Sequence, residues 1–260
     1  MTLAGNSIAE QTAIVTGGAQ GLGAAFARRL TAEGCNVVLT DQRPSVAEFA
    51  ASIGAIAHVG DVADPEHAFA VVDATITAHG AIDVLVNNAG EVWPTGPRDP
   101  WAQAGGDFDR LFGSNVKGHF LFGRAVAPAM IKAGGGHIVN ISTDHVKPGP
   151  GTKRHHGHGH LDLYNASKWA INGLTFDWAA SLARHGIRVN SLCMGATDTE
   201  MLRGFLGGDP DPEYVATWHR PDETAQVLID LLAEGPGGRT GDTIGLYAGQ
   251  PCVLPPPEPS

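Results

Sequence analysis

The stretch Thr12-Ala13-Ile14-Val15-Thr16-Gly17-Gly18-Ala19-Gln20-Gly21-Leu22-Gly23 decides the fold. A short β-favouring run enters a glycine turn, and the turn enters the alanine-rich Ala24–Leu30, so the order is strand, turn, helix. Glycine lets a chain turn tightly and bring backbone N–H groups against an anion, which the helix N-terminus also favours. Gly17, Gly21 and Gly23 are candidates to hold the pyrophosphate of a dinucleotide, with Leu22 among the cofactor-binding candidates and uncharged Gln20 beside the adenosine ribose. The next β-rich run, Asn36–Thr40, ends at Asp41, close to the usual spacing for an acid that binds a ribose. A carboxylate there accepts hydrogen bonds from ribose hydroxyls and repels an added phosphate. NAD is therefore expected over NADP, with only Arg43 nearby to answer a phosphate.

Working outward, apolar runs at Ile56–Val59, Val84–Asn87, His137–Ser142, Arg188–Cys193 and Thr243–Tyr247 alternate with helical candidates. The candidates lie near Gly21–Glu33, Pro65–His79, Asp107–Ala133, Tyr164–His185 and Pro221–Glu234. This alternation predicts an α/β chain with a parallel, doubly wound sheet. No long polar linker or internal repeat divides the chain, so 1–260 reads as a single domain.

The 260 residues are 43% hydrophobic and 17% charged, which suits a globular protein. A net charge of −10 gives no general attraction to phosphate backbones or anionic lipid, so neither nucleic acid nor membrane is an expected partner. Met1–Glu10 lacks the basic start and apolar run of a signal peptide, and a cytoplasmic location is expected. Cys35, Cys193 and Cys252 are scattered without a Cys-x-x-Cys pair and read as inert thiols.

Five features now stand in order: Thr16-Gly17-x-x-x-Gly21-x-Gly23, Asn87-Asn88-Ala89-Gly90, Asn115, Ser142 and Tyr164-x-x-x-Lys168. Together they resemble the short-chain dehydrogenase/reductase family over nearly the whole chain. The resemblance implies a Rossmann fold with seven parallel strands, Asp61 and Val62 beside the adenine, and Asn88, Ala89 and Gly90 along the cofactor wall. It implies Tyr164 as acid/base, Ser142 polarising the substrate oxygen, Lys168 tuning Tyr164 while reaching the nicotinamide ribose, and Asn115 helping to hold a relay water. Gly195, Thr197 and Thr199 match the family positions near nicotinamide, although Met194 stands where the family has proline.

These residue types suit hydride transfer between nicotinamide and a carbinol carbon. The hydroxyl must lose a proton as the hydride leaves, which needs a base and a donor for the developing oxyanion. Tyrosine titrates near pH 10, so a cation must favour its phenolate near neutrality. Residues 164 and 168 share one helix face, which brings Lys168 within reach.

Residues 142 and 164 lie farther apart than is usual in the family, implying an insertion over Thr152–His160. The basic, histidine-rich segment around 147–160 reads equally as a lid favouring an anionic substrate group or as a solvated loop; no metal is expected. Trp93, His145, His156, Met201 and Phe205 are candidate substrate contacts, and the apolar content of Glu200–Arg220 suits a bulky substrate. In the family the two long helical segments form subunit contacts, so the resemblance implies a homotetramer or homodimer, with Phe112, Phe122, Trp169, Phe176 and Trp178 as exposed-face candidates on them. The competing function is a catalytically silent NAD sensor or scaffold of the same fold.

Overall fold

The computed structural model describes residues 7–147, 149 and 159–257. Among these, seven strands pair in parallel: β1 (Thr12–Thr16), β2 (Asn36–Asp41), β3 (Ile56–Val59), β4 (Val84–Asn87), β5 (Gly136–Thr143), β6 (Ile187–Met194) and β7 (Thr243–Leu246). Their order is β3-β2-β1-β4-β5-β6-β7, the Rossmann arrangement expected from sequence. The α-helices are α1 (Gly21–Ala32), α2 (Ser45–Ile53), α3 (Pro65–His79), α4 (Ala104–Phe112), α5 (Gly118–Ala133), α6 (Asp162–Leu182), α7 (Glu200–Leu206), α8 (Pro212–Val215) and α9 (Pro221–Ala233).

Alternation along the strands builds two cores. Ala13 and Val15 face the layer formed with Phe26 and Leu30 of α1, Val46 of α2 and Leu228 of α9. Ile14, between them, faces Val71 of α3 and Phe122 and Val126 of α5. Helices therefore cover both faces, which is why β1 and β6 are buried throughout. Because β1 continues to β2 on one side and pairs with β4 on the other, the C-terminal ends of β1 and β4 open a crevice.

The opposite edge is closed by polar pairing. Arg188 of β6 donates to Leu231 O (3.1 Å), capping the last turn of α9, and to Arg239 O (3.0 Å). Glu234 lies 3.5 Å from Arg188 and 2.6 Å from Arg239. Asn190 bonds His137 Nε2 (2.9 Å), Arg239 O (2.9 Å) and Asp242 N (3.1 Å).

Three differences from the sequence reading stand out. Helix α2 was not foreseen, although Val46, Phe49, Ala50 and Ile53 repeat at helical spacing. Segment Asp107–Ala133 is not one helix: a π turn over Gly113–Lys117 separates α4 from α5. The stretch Glu200–Arg220, read only as substrate region, holds α7 and α8. No helix among the described residues is long and apolar enough to cross a membrane.

Candidate active site

A cleft of about 1450 Å³ lies over the C-terminal ends of the strands. It is larger than most small-ligand pockets, which suits a dinucleotide with a substrate beside it. The glycine turn forms its floor. A Cβ on Gly17 would approach Ala89 Cα to 2.8 Å, and one on Gly23 would strike the Gly17 carbonyl. Gly17 and Gly21 also sit at φ +66° and +54°, where side chains are strained. Gln20 begins α1 without a side-chain cap, so first-turn N–H groups face the cleft as donors for an anion. Leu22 lines the cleft and packs partly on the core.

Asn88 ties the neighbouring wall to this turn. Its Nδ2 donates to Thr16 O (2.9 Å) and Gly17 O (3.2 Å), while its N–H and that of Ala89 both donate to Thr16 Oγ1 at 3.0 Å. Asp41 is buried at the end of β2 and already accepts Ala19 N–H and Arg43 N–H, each at 3.0 Å, one on either oxygen. A carboxylate has about four acceptor positions, so both oxygens retain room for ribose hydroxyls. Asp61, which accepts Ala63 N–H at 2.8 Å, and Val62 line the same end.

Asn115 is fully buried in the π turn and is not among the residues lining the cleft. Its Oδ1 accepts Glu91 N–H (2.8 Å) and Ser114 Oγ (3.1 Å), and its Nδ2 donates to Glu91 O (3.0 Å) and Ser167 Oγ (3.1 Å). The amide is saturated. The side chain thus clamps the backbone after Gly90.

Ser142 lines the cleft, and its Oγ donates to Lys168 O at 3.4 Å and bonds the Cys193 thiol. The hydroxyl that meets Tyr164 belongs to Thr143. The sequence reading ended the strand at Ser142, but β5 runs one residue further, and successive strand side chains point to opposite faces.

Tyr164 and Lys168 both face the cleft from α6, with Lys168 Nζ 5.7 Å from the phenol ring centre. Burial raises Tyr164 to about 12, and Asp144 adds to this, although the Thr143 hydrogen bond pulls the other way. Burial lowers Lys168 to about 8, and its Nζ donates to Ile141 O at 3.0 Å. Burial thus outweighs the Thr143 hydrogen bond and holds Tyr164 above the ordinary phenol range.

Gly195 N–H donates to Leu246 O at 2.6 Å, and a Cβ on Gly195 would come within 2.7 Å of the same backbone. This close packing, with Met194 of β6 paired to Leu246 of β7, holds the turn without the family's proline. Thr197 Oγ1 donates to Gly195 O at 3.1 Å, and Thr199 caps α7, accepting Leu202 N–H at 3.3 Å. Trp93, His145, Met201 and Phe205 all line the cleft. The His145 ring meets Tyr164 edge-on with centres 6.2 Å apart. His156 lies outside the described residues.

Of the aromatics expected at an interface, Trp169 and Phe176 are exposed, but Phe122 is fully buried. Trp178 is partly buried, its ring packed where a side chain on Gly123 would stand.

Comparisons agree with this architecture. Residues 11–206 match the family model described as short chain dehydrogenase. The 3-alpha-(or 20-beta)-hydroxysteroid dehydrogenase of Mycobacterium tuberculosis is 38% identical over 235 residues, spanning 89% of this chain and 85% of that protein. The 4-formylbenzenesulfonate dehydrogenase of Comamonas testosteroni is 32% identical over 257 residues, spanning 93% and 98%. A Burkholderia cenocepacia short chain dehydrogenase, solved in complex with NADP, superposes with a TM-score of 0.78 at 29% identity, covering 94% of this chain and 98% of that one.

Proposed function

Because the chain belongs to the short-chain dehydrogenase family, we propose that it is an NAD-dependent oxidoreductase interconverting a bulky secondary alcohol and its ketone. The observation that carries this reading is the Tyr164 hydroxyl, bonded to Thr143 and one helical turn from Lys168, above the glycine turn. A nicotinamide cofactor, when bound, accepts or returns the hydride. Gly17, Gln20, Gly21, Leu22 and Gly23 would hold its pyrophosphate, Asp41 its adenosine ribose, Asp61 and Val62 its adenine, and Gly195, Thr197 and Thr199 its nicotinamide end. Asn88, Ala89 and Gly90 form the supporting wall.

The chain's own groups manage the proton. Tyr164 gives its phenolic proton to a carbonyl oxygen in reduction and takes it back in oxidation. Thr143 donates a hydrogen bond to that oxygen as charge develops. Lys168 supplies the cation that brings the phenolate into range once the site is assembled. Relatives that oxidise steroid alcohols, and the apolar Met201 and Phe205 on the cleft, support an alicyclic or aromatic substrate. Asp144 and Glu200 on the cleft wall weigh for an uncharged substrate rather than the anionic one the basic segment suggested. The exposed Phe120, Trp169 and Phe176 on α5 and α6 support a homodimer or homotetramer through those helices.

The test is NADH formation from a panel of cyclic secondary alcohols, comparing NAD⁺ with NADP⁺ and wild type with Tyr164→Phe. Turnover with NAD⁺ that falls about 10³-fold or more in the variant is expected. Cofactor binding with no turnover in either direction would instead make the chain a nucleotide sensor.

A further inference from the structure

Past the Gly90 wall, the chain makes a rigid ladder that ends on an aromatic ring. The Asn115 amide grips both backbone groups of Glu91. The Glu91 carboxylate in turn accepts Nε (2.8 Å) and Nη2 (2.6 Å) of Arg110 on one oxygen and Ser114 Oγ (3.3 Å) on the other. The Arg110 guanidinium carbon then lies 3.9 Å from the centre of the Trp93 ring. Arg110 and Glu91 are both partly exposed, and such pairs contribute little stability. What the ladder gives is orientation: a planar fork held on Glu91 fixes a planar ring.

We propose that Trp93, held by Arg110, is the specificity-determining platform of the substrate half of the cleft and takes a flat, uncharged, apolar ring system. The proposal rests on the alcohol dehydrogenase reading above. Trp93 is 42% exposed and lines the cleft, so Arg110 covers one side of the ring while area remains open to a ligand. The guanidinium draws π density toward itself, leaving the open area a poor partner for a second cation. Its charge is matched by Glu91, so an anion gains little there either. Leu161, Met201, Phe205 and Tyr214 supply further apolar wall. Flat apolar rings gain from stacking and from area removed from water. Arg110 and Glu91 are positioning residues, acting through Trp93.

Two measurements test this. The first compares kcat/KM for tetralol and isopropanol with NAD⁺. In Trp93→Ala the tetralol-to-isopropanol ratio is expected to fall about 30-fold, mostly through the KM for tetralol, and in Trp93→Phe to stay within about fivefold. Arg110→Met should lose about fivefold in the same ratio, again in KM, because the ring is kept but no longer held. The second is calorimetric titration of tetralone into the protein with and without NAD⁺, which needs no turnover. Tetralone binding that weakens about 30-fold in Trp93→Ala supports the platform even if no alcohol is oxidised, in which case the dehydrogenase reading alone fails. Equal tetralone affinity in wild type and Trp93→Ala, no tetralone binding to wild type, or equal losses for both alcohols would each overturn the platform.

Discussion

The two ends of the sheet are built from the same strands but finish differently. At the N-terminal end, Arg188, Arg239, Glu234 and Asn190 answer one another and the carbonyls of α9. At the C-terminal end lie an uncapped helix start, a phenol raised to about 12 and a lysine lowered to about 8. The difference teaches that stability and chemistry draw on the same buried polar groups in opposite ways. Paired charges hold the sheet, whereas groups that burial shifts from their ordinary ionisation are available to a ligand at a cost in stability.

Substitutions at each end should separate these roles. The largest effect is expected from Glu234→Ala, which leaves two buried guanidinium groups without their shared carboxylate. Urea unfolding should show a loss of roughly 3–5 kcal/mol, with cofactor affinity unchanged; a loss below about 1 kcal/mol would mean the N-terminal edge is not what holds the sheet.

At the other edge, Thr143→Val should lower kcat about 10²-fold or more while Ser142→Ala stays within about threefold. The reverse ranking would restore the serine to the role expected from sequence.

Lys168→Met should abolish turnover yet stabilise the fold by about 3 kcal/mol at pH 7, because its amine falls from 10.5 to about 8 on burial. Below pH 8 both folded and unfolded chains carry that proton, so the full cost of the buried charge is present. Between pH 8 and 10.5 only the unfolded chain holds it, so wild-type stability rises with pH and the variant lacks this rise. Denaturant titrations across that window measure it, and parallel curves would remove the claim that Lys168 is held at a cost.

The smallest effect is expected at Asp41. Asp41→Ser should shift the NADP-to-NAD ratio of kcat/KM about tenfold toward NADP, a change of about 1.4 kcal/mol. No shift would leave Asp41 as only a double cap on Ala19 and Arg43.

Much of this was legible in the sequence because it is local. The glycine turn, the seven strands and the Tyr164–Lys168 spacing depend on neighbours within a few residues, and the structure reproduces them to within a residue or two. The rest depends on register and on long-range contact. Whether Ser142 or Thr143 faces the phenol turns on one extra residue of strand. Asn115 was found by its place in the ordered motif, but its amide is used up by Glu91, far off in sequence. The interruption of Asp107–Ala133 left only a weak signal, the glycines at 113 and 118, since every residue between them is tolerated in a helix. The raised phenol was not legible because burial, which sequence does not report, acts on Tyr164 more strongly than its Thr143 partner.

The π turn at Gly113–Lys117 has a genetic meaning as well as a geometric one. Such a turn carries one residue more than the α-helical turn it replaces, so it is what a single inserted codon would leave in a straight helix. A turn that takes up the surplus residue in this way leaves the helix on either side close to its original phase. The surplus is therefore confined to the stretch where Asn115 meets the Glu91 backbone, and the core faces of α4 and α5 need not change.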